Sequence, residues 1–470
     1  MVEEEGDFVK VNVRGKNDGW MQKGDLQPNK LLEIYFVDIG QGDGCLVLTP
    51  LPTVAGEEPK NRAMLIDAGE NDNMLRFINW KFNTGNAANP PFKFDDVIIS
   101  HGDQDHYGGF QAIFENSRFE FENVYHNGLV ERAVGNSLGT HQKIDGITYQ
   151  TSVVSTPEEL ETIISNPVAV GKRKYPKLLK TAVGRNARVR MLSCGEDNLP
   201  VYLPNFEAGK DIEIEILGPF TKKKQVDGVT KTVLPRLKSN DGKTKNGHSI
   251  VFRLVYDKVK ILLGGDLNVP AEDYLLNCHA GELAAGAQAT EMSARMNRAK
   301  AKFGADVAKS CHHGSGDFSP TFLQAIDAAA TVISSGDDEP HSHPRPNTLG
   351  ALGKYGRGEF PLIFSTELAR SAKEKIKKPS EVRAEIEKLL SSVGEADTPQ
   401  EKEQLQKRKD ELYLKLGRTI ETFGMINVRT DGKKVIIAQK LEQKADRGLW
   451  DIHCLEPDSL NNGVLKYKAE

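Results

Sequence analysis

Apolar residues in this chain recur at every second position in a series of short runs, and most runs close on glycine, aspartate or histidine. Leu31 to Asp38, LLEIYFVD, alternates as a strand, and IGQGDGCLVL returns as a second strand after a glycine-rich turn. Ala63 to Gly69, AMLIDAG, is another strand, ending in Asp67, and Asp96 to Ser100 is a short β-branched one with charge before it and glycines after. Further strands are read in FENVYHNG, DIEIEILGP, the two apolar runs on either side of Tyr256-Asp257-Lys258, ADVAKSC, TVISSG and FPLIFS, with a closing hairpin in GMINVRTDGKKVIIAQ. Helical composition is confined to Gly109 to Glu115, Thr156 to Asn166, Glu282 to Lys302 and the charged stretch Ser371 to Thr419, which the break SSVGEADTPQ divides into a hairpin. Many strands with interspersed helices predict an α/β fold. Residues 130–210, with the basic groups Lys172-Arg173-Lys174 and Arg185 to Arg190, read as a solvated insertion, and TKKKQVDGVTKTVLPRLKSNDGKTKNG as a mobile lysine-rich loop.

The chemistry gathers at strand ends. After the strand that ends at Ser100, the loop HGDQDHYGG carries His101, Asp103, Asp105 and His106, four candidate ligands for a divalent metal within six residues. A polar turn explains aspartate and glycine there, but His-x-Asp-x-Asp-His ahead of Gly-Gly favours a metal site. Asp266 follows a continuous apolar run inside Gly-Gly-Asp, and a buried carboxylate at a strand end needs a cation or several donors. The pair His312-His313 closes ADVAKSC, and because adjacent side chains of an extended chain point oppositely, one of the two is expected to ligate.

The motif SHGDQDHYGG resembles the second motif of the metallo-β-lactamase superfamily, with Asp103 where its second histidine usually stands. This variant is similar to the hydrolase domain of the DNA-uptake competence protein, the ComEC type. VDIGQGDG resembles the family's opening hairpin, LGGD its fourth motif, HHGS its fifth, and His343-Pro344-Arg345-Pro346 its Gly-His-Pro-x-Pro element; its third-motif histidine has no clear match. The resemblance implies an αββα metallo-β-lactamase sandwich carrying an inserted charged helical hairpin. It implies an N-terminal extension over 1–30 and a hydrolase domain over 31–370 with an insertion around 130–210. The hairpin then spans 371–420, and closing strands and a tail span 421–470. It assigns His101, Asp103, Asp105, His106, Asp266 and His312 to two metal ions, Mn²⁺ or Zn²⁺, and has Asp67 and His313 support the ligands without binding metal. Asp105 and His343 are then the catalytic residues, and His341 and Arg345 bind substrate.

The implied activity is metal-dependent hydrolysis, foremost of a phosphodiester in DNA or RNA by a metal-bound hydroxide. A lactonase or amidase acting on a small ester or amide is the alternative, and a non-catalytic assembly subunit a third reading. Bulk properties change this little. Lys and Arg number 62 against 66 Asp and Glu, so a nucleic-acid surface would have to be local. Five cysteines without a CxxC pair suggest a reducing compartment, and no apolar run reaches membrane-spanning length, so a cytoplasmic protein without a membrane partner is expected. The helical hairpin is the expected contact for a second copy or a protein partner.

Overall fold

The structure is a computed structural model that describes residues 4–12, 18–23, 30–52, 60–86, 88–197, 199–336, 342–366, 384–385, 388–389, 391–393, 398–418, 424–445, 448–459 and 463–468. It is mixed α/β, with four sheets among the described residues. The largest has ten strands, running in space Arg188–Met191, Phe119–His126, Phe92–Ile98, Asn61–Ala68, Gly44–Pro50, Leu32–Phe36, Ile426–Thr430, Val435–Ala445, Gly448–Pro457 and Leu465–Tyr467. The second has seven, Val201–Tyr202, Ile212–Gly218, Val251–Tyr256, Val259–Gly264, Val307–Lys309, Ala330–Ile333 and Leu362–Ser365.

The period-2 pattern sorts side chains between two cores. Ile34, Phe36, Val47 and Ile98 enter an apolar cluster shared with Ile214, Ile216, Phe252, Ile261 and Leu263 of the second sheet. Their neighbours Tyr35, Leu46, Leu48 and Val97 enter another, with Phe77, Phe110, Phe114, Leu178 and Leu179 from helices. A third cluster joins Val251 and Leu262 to Leu275, Leu276, Phe303 and Phe322 from the helices Val269–Ala280, Ala289–Phe303 and Pro320–Ile326. A one-residue register slip in a central strand of the ten-stranded sheet would exchange the first two cores, so the register there is firmly set.

Both sheets contain parallel pairings where the site lies: Asn61–Ala68, Phe92–Ile98 and Phe119–His126 in one, Val259–Gly264, Val307–Lys309 and Ala330–Ile333 in the other. Loops leaving parallel strands emerge on one edge, which brings sequence-distant segments together.

Two segments differ from the sequence reading. Within 130–210, the helix Lys174–Gly184 buries Tyr175, Leu178, Leu179 and Ala182, spaced i, i+3, i+4 and i+7, and Arg188–Met191 joins the ten-stranded sheet in parallel with Phe119–His126. Much of that stretch therefore belongs to the core, and its basic residues lie on the outer sides of these elements. The lysine-rich stretch is a hairpin, Lys222–Val226 with Val229–Pro235, followed by the helix Asp241–Gly247, and Val226, Val233 and Tyr149 form a small apolar cluster under it.

Residues 4–22 of the N-terminal extension include a three-stranded sheet. Of the expected hairpin over 371–420, residues 371–383 lie outside the described residues. Pro399–Arg418 is a helix, and Arg408 pairs with Glu385 at 3.2 Å. Among the described residues no helix is long and apolar enough to cross a membrane.

Glu272, in the helix Val269–Ala280, is buried and accepts a hydrogen bond from the Ser319 amide. Burial, with Asp273 and Asp317 nearby, holds its carboxyl well above the usual glutamate range. The neutral acid is thus the folded form, so its stabilising share is present below the ordinary glutamate pKa and is lost as pH rises through the elevated folded value. Glu272→Gln keeps an acceptor for Ser319 and removes the ionisation. Urea unfolding at pH 5 and pH 8 is expected to show a smaller loss on going to pH 8 in the variant, which gains roughly 1–3 kcal/mol there. A variant less stable than the parent at pH 8 would contradict this.

Candidate metal centre

The strand Phe92–Ile98 delivers the loop Ser100–His106 beside the end of Asn61–Ala68, where Asp67 takes a positive φ of 54°. That turn aims the Asp67 carboxylate at the loop. The Ser100 amide donates to Oδ1 at 2.7 Å and the Ser100 hydroxyl to Oδ2 at 2.6 Å, while His106 Nδ1 lies 2.8 Å from Oδ2. Such a bond puts the imidazole proton on Nδ1 and leaves Nε2 as a ligand atom. The opening hairpin closes over the same loop: the Asp43 amide donates to the Asp105 carbonyl at 3.2 Å, and a Cβ on Gly42 would come within 1.7 Å of that oxygen. Only glycine permits this approach.

Asp105, His106, Asp266 and His313 converge, with one potential ligand atom from each lying within 4.8 Å of all the others. His313 Nε2 is 3.2 Å from Asp266 Oδ2 and 3.5 Å from Asp105 Oδ2, and His106 Nε2 is 3.3 Å from Asp266 Oδ2. His313 is oriented from behind by its Nδ1, 3.1 Å from the Ser334 carbonyl oxygen, and Asp266 by its amide, which donates to Ser249 Oγ at 2.9 Å. His106 Nε2, His313 Nε2 and Asp266 Oδ1 are all buried and make no hydrogen bond. Orphaned buried polar atoms cost about 1–3 kcal/mol each, and a cation held among these four side chains would relieve that cost. The donor set of two imidazoles and two carboxylates suits a divalent ion.

The electrostatics are consistent. Burial disfavours the imidazolium of His106, but Asp266, Asp67 and Asp105 outweigh it and hold its pKa well above the ordinary histidine value. His313 is raised in the same way by Asp266 and Asp43. Burial favours neutral Asp266, yet His106, His313 and His312 hold its carboxyl far below the usual range. Carboxylates that stay ionised and stabilise positive charge on the neighbouring imidazoles also favour a metal ion, so the ion and the imidazole protons compete.

Of the two adjacent histidines it is His313 that enters the group. His312 Nε2 lies 3.8 Å from Asp266 Oδ2, and its side chain is 28 % exposed. The preference for His312 assumed an extended backbone. Here both residues have left-handed dihedrals, φ 49° and 53°, in a tight turn, so strand alternation does not apply. His343 is buried, its ring centroid 5.8 Å from that of His312 and 6.3 Å from that of His313. Arg345 caps the helix Pro346–Tyr355 with an exposed side chain, its amide donating to the Gly314 carbonyl at 2.9 Å. His341 lies outside the described residues.

His101 and Asp103 lie elsewhere in the site. His101 Nδ1 faces Ser100 Oγ at 3.1 Å and Ser249 Oγ at 3.3 Å, and its Nε2 is 3.5 Å from Asp103 Oδ2. Asp103 forms a close ion pair with Lys245. Sequence reading passed over Lys245 and also Lys309, a buried lysine 2.5 Å from Asp43. The only local signal of Lys309 is a charge inside the apolar run ADVAKSC. His126 and His248, both buried, have structural partners: Gly128 N donates to His126 Nδ1 at 3.0 Å, and His248 Nε2 faces the Pro235 carbonyl at 2.8 Å. Burial lowers both to about 4.

Compared with models of known protein families and with curated proteins, the chain matches none.

Proposed function

We propose that this chain is a metal-dependent phosphodiesterase built as an αββα sandwich of the metallo-β-lactamase type. The apolar cluster common to both sheets, with helix-facing clusters outside each, supports that layering. So does a site assembled from loops of both sheets, Ser100–His106 from one and Asp266 with His313 from the other. The observation that carries the reading is the convergence of Asp105, His106, Asp266 and His313, with His106 Nε2 and His313 Nε2 buried, without hydrogen bonds and 3.3 and 3.2 Å from Asp266 Oδ2.

Asp105, His106, Asp266 and His313 would hold Mn²⁺ or Zn²⁺, a choice that mixed nitrogen and oxygen donors allow. Such an ion supplies Lewis acidity and neutralises charge on a phosphoryl group. The rest falls to the protein. Asp67 and the Ser334 carbonyl fix the His106 and His313 rings through Nδ1. The Gly42 turn over Asp105 holds the loop against the hairpin, so the ligands are set before substrate arrives. His343, beside His312 and His313, is placed to donate a proton to a phosphate or leaving-group oxygen. Lys222 and Lys224 pair with Glu196 and Asp145 and take no part.

The test uses purified protein stripped of metal, then given Mn²⁺ or Zn²⁺, with bis-p-nitrophenyl phosphate, plasmid DNA and p-nitrophenyl acetate as substrates. Metal-restored cleavage of the phosphodiesters is expected. Metal binding accompanied by cleavage of the carboxylic ester alone would transfer the reading to a carbonyl-directed hydrolase.

A further inference from the structure

Resting on the metal-centre reading above, we infer that the centre takes a single divalent ion and that the Lys245 ammonium occupies the position a second ion would need. A second ion would draw on His101, Asp103 and a shared Asp266. Among the described residues, the groups able to hold a metal are Asp105 with His106, Asp266 and His313, and Asp43 with Asp67 and His106; neither contains His101 or Asp103.

The reason lies in what surrounds Asp103. Its Oδ1 is ion-paired with Lys245 Nζ. With the Asn246 side-chain amide turned so that its nitrogen faces the acceptors around it, that nitrogen donates to Asp103 Oδ2 at 2.7 Å, and His101 Nε2 stands 3.5 Å away. Asn246 is oriented by a further bond to the Gly242 carbonyl at 2.8 Å. Both carboxylate oxygens are therefore already engaged by donors, and one of those donors carries a full positive charge that a second ion would have to displace or face. Lys245 is itself anchored, with Nζ 3.0 Å from Glu131 Oε1 and a side chain 14 % exposed. An ammonium and a divalent ion at one carboxylate repel each other in a medium that screens poorly, so the two exclude one another. The other group is occupied in the same manner: Asp43 faces Lys309, and Asp67 is committed to Ser100 and His106. The lysine also follows from the loop's departure from its family pattern, because an aspartate in place of a histidine offers an ammonium a partner that imidazole does not.

The experiment is a Mn²⁺ titration of the metal-stripped full chain by calorimetry, with the electron paramagnetic resonance spectrum recorded at saturation. One equivalent with the six-line spectrum of an isolated Mn²⁺ is expected. Two equivalents with an exchange-broadened spectrum would overturn the inference while leaving the metal centre intact; no binding would overturn both. Asp103→Asn is expected to keep the single equivalent, and a loss of affinity beyond about 100-fold, more than an orienting partner costs, would make Asp103 a ligand and reject the inference. Lys245→Ala leaves Asp103 and Glu131 without their cation and is expected to admit a second equivalent. A folded Lys245→Ala that still takes one ion would remove the lysine from the stated role, and should that variant fail to fold, the parent stoichiometry and Asp103→Asn decide alone.

Discussion

Asp266→Ala is expected to abolish tight metal binding and to lower the proposed phosphodiester hydrolysis by about 10³-fold or more, a barrier increase of some 4 kcal/mol. Asp266 Oδ2 faces the ligand nitrogens of both imidazoles, 3.3 Å from His106 Nε2 and 3.2 Å from His313 Nε2, and it lies 3.8 Å from His312 Nε2. Removing the carboxylate takes away the one negative group common to all three rings and leaves two neutral donors and Asp105 to compete with water for the ion. Losing a partner that only orients a ligand costs 10–100-fold in affinity, and a shared ligand costs more. The fold is expected to survive, because Asp266 lies beyond the end of Val259–Gly264 and contributes no apolar packing. Calorimetry with Mn²⁺ and Zn²⁺, rates at saturating metal and a thermal melt separate these effects. A folded variant that binds metal and turns over within tenfold of the parent would remove Asp266 from the centre.

How much of this was legible in the sequence depends on the range of the interaction involved. Alternation in Leu31 to Asp38 named a strand because both faces of Leu32–Phe36 are buried in different cores, Ile34 and Phe36 on one side and Tyr35 on the other. His101, Asp103, Asp105 and His106 stood out because they share one loop. Their division did not: what separates Asp103 from Asp105 is Lys245, about 140 positions away, and no local pattern reports that contact. Lys309 was equally hidden, since a single lysine in an apolar run reads as a strand end until Asp43 is brought against it.

The segments misread as loops failed for a different reason. In Lys222–Val226 and Val229–Pro235 the burial rests on few residues, Val226, Val233 and Leu234 among many lysines and threonines, so the charges dominate the pattern. In Lys174–Gly184 the helical spacing of buried residues was present, but flanking basic residues obscured it. A solvated outer face weakens the sequence signal of an element without weakening the packing of its inner face.

The second large effect separates two neighbours. His313→Ala is expected to weaken metal binding at least about 100-fold and activity correspondingly, whereas His312→Ala weakens metal binding by less than about tenfold. His313 has both ends committed: Nδ1 is fixed by the Ser334 carbonyl, and Nε2 is buried, without a hydrogen bond, within 3.5 Å of both Asp105 and Asp266. His312 reaches only Asp266, at the longer distance of 3.8 Å, and burial lowers its pKa below the ordinary value whereas that of His313 is raised. Its loss should therefore act on turnover through its neighbour His343 more than on the ion, giving a lower kcat at nearly unchanged metal affinity. Equal loss of metal affinity in the two variants would make both residues ligands. Loss confined to His312→Ala would restore His312, the residue nearer the strand end, as the ligand and require the turn at residues 312–313 to rearrange when the metal binds.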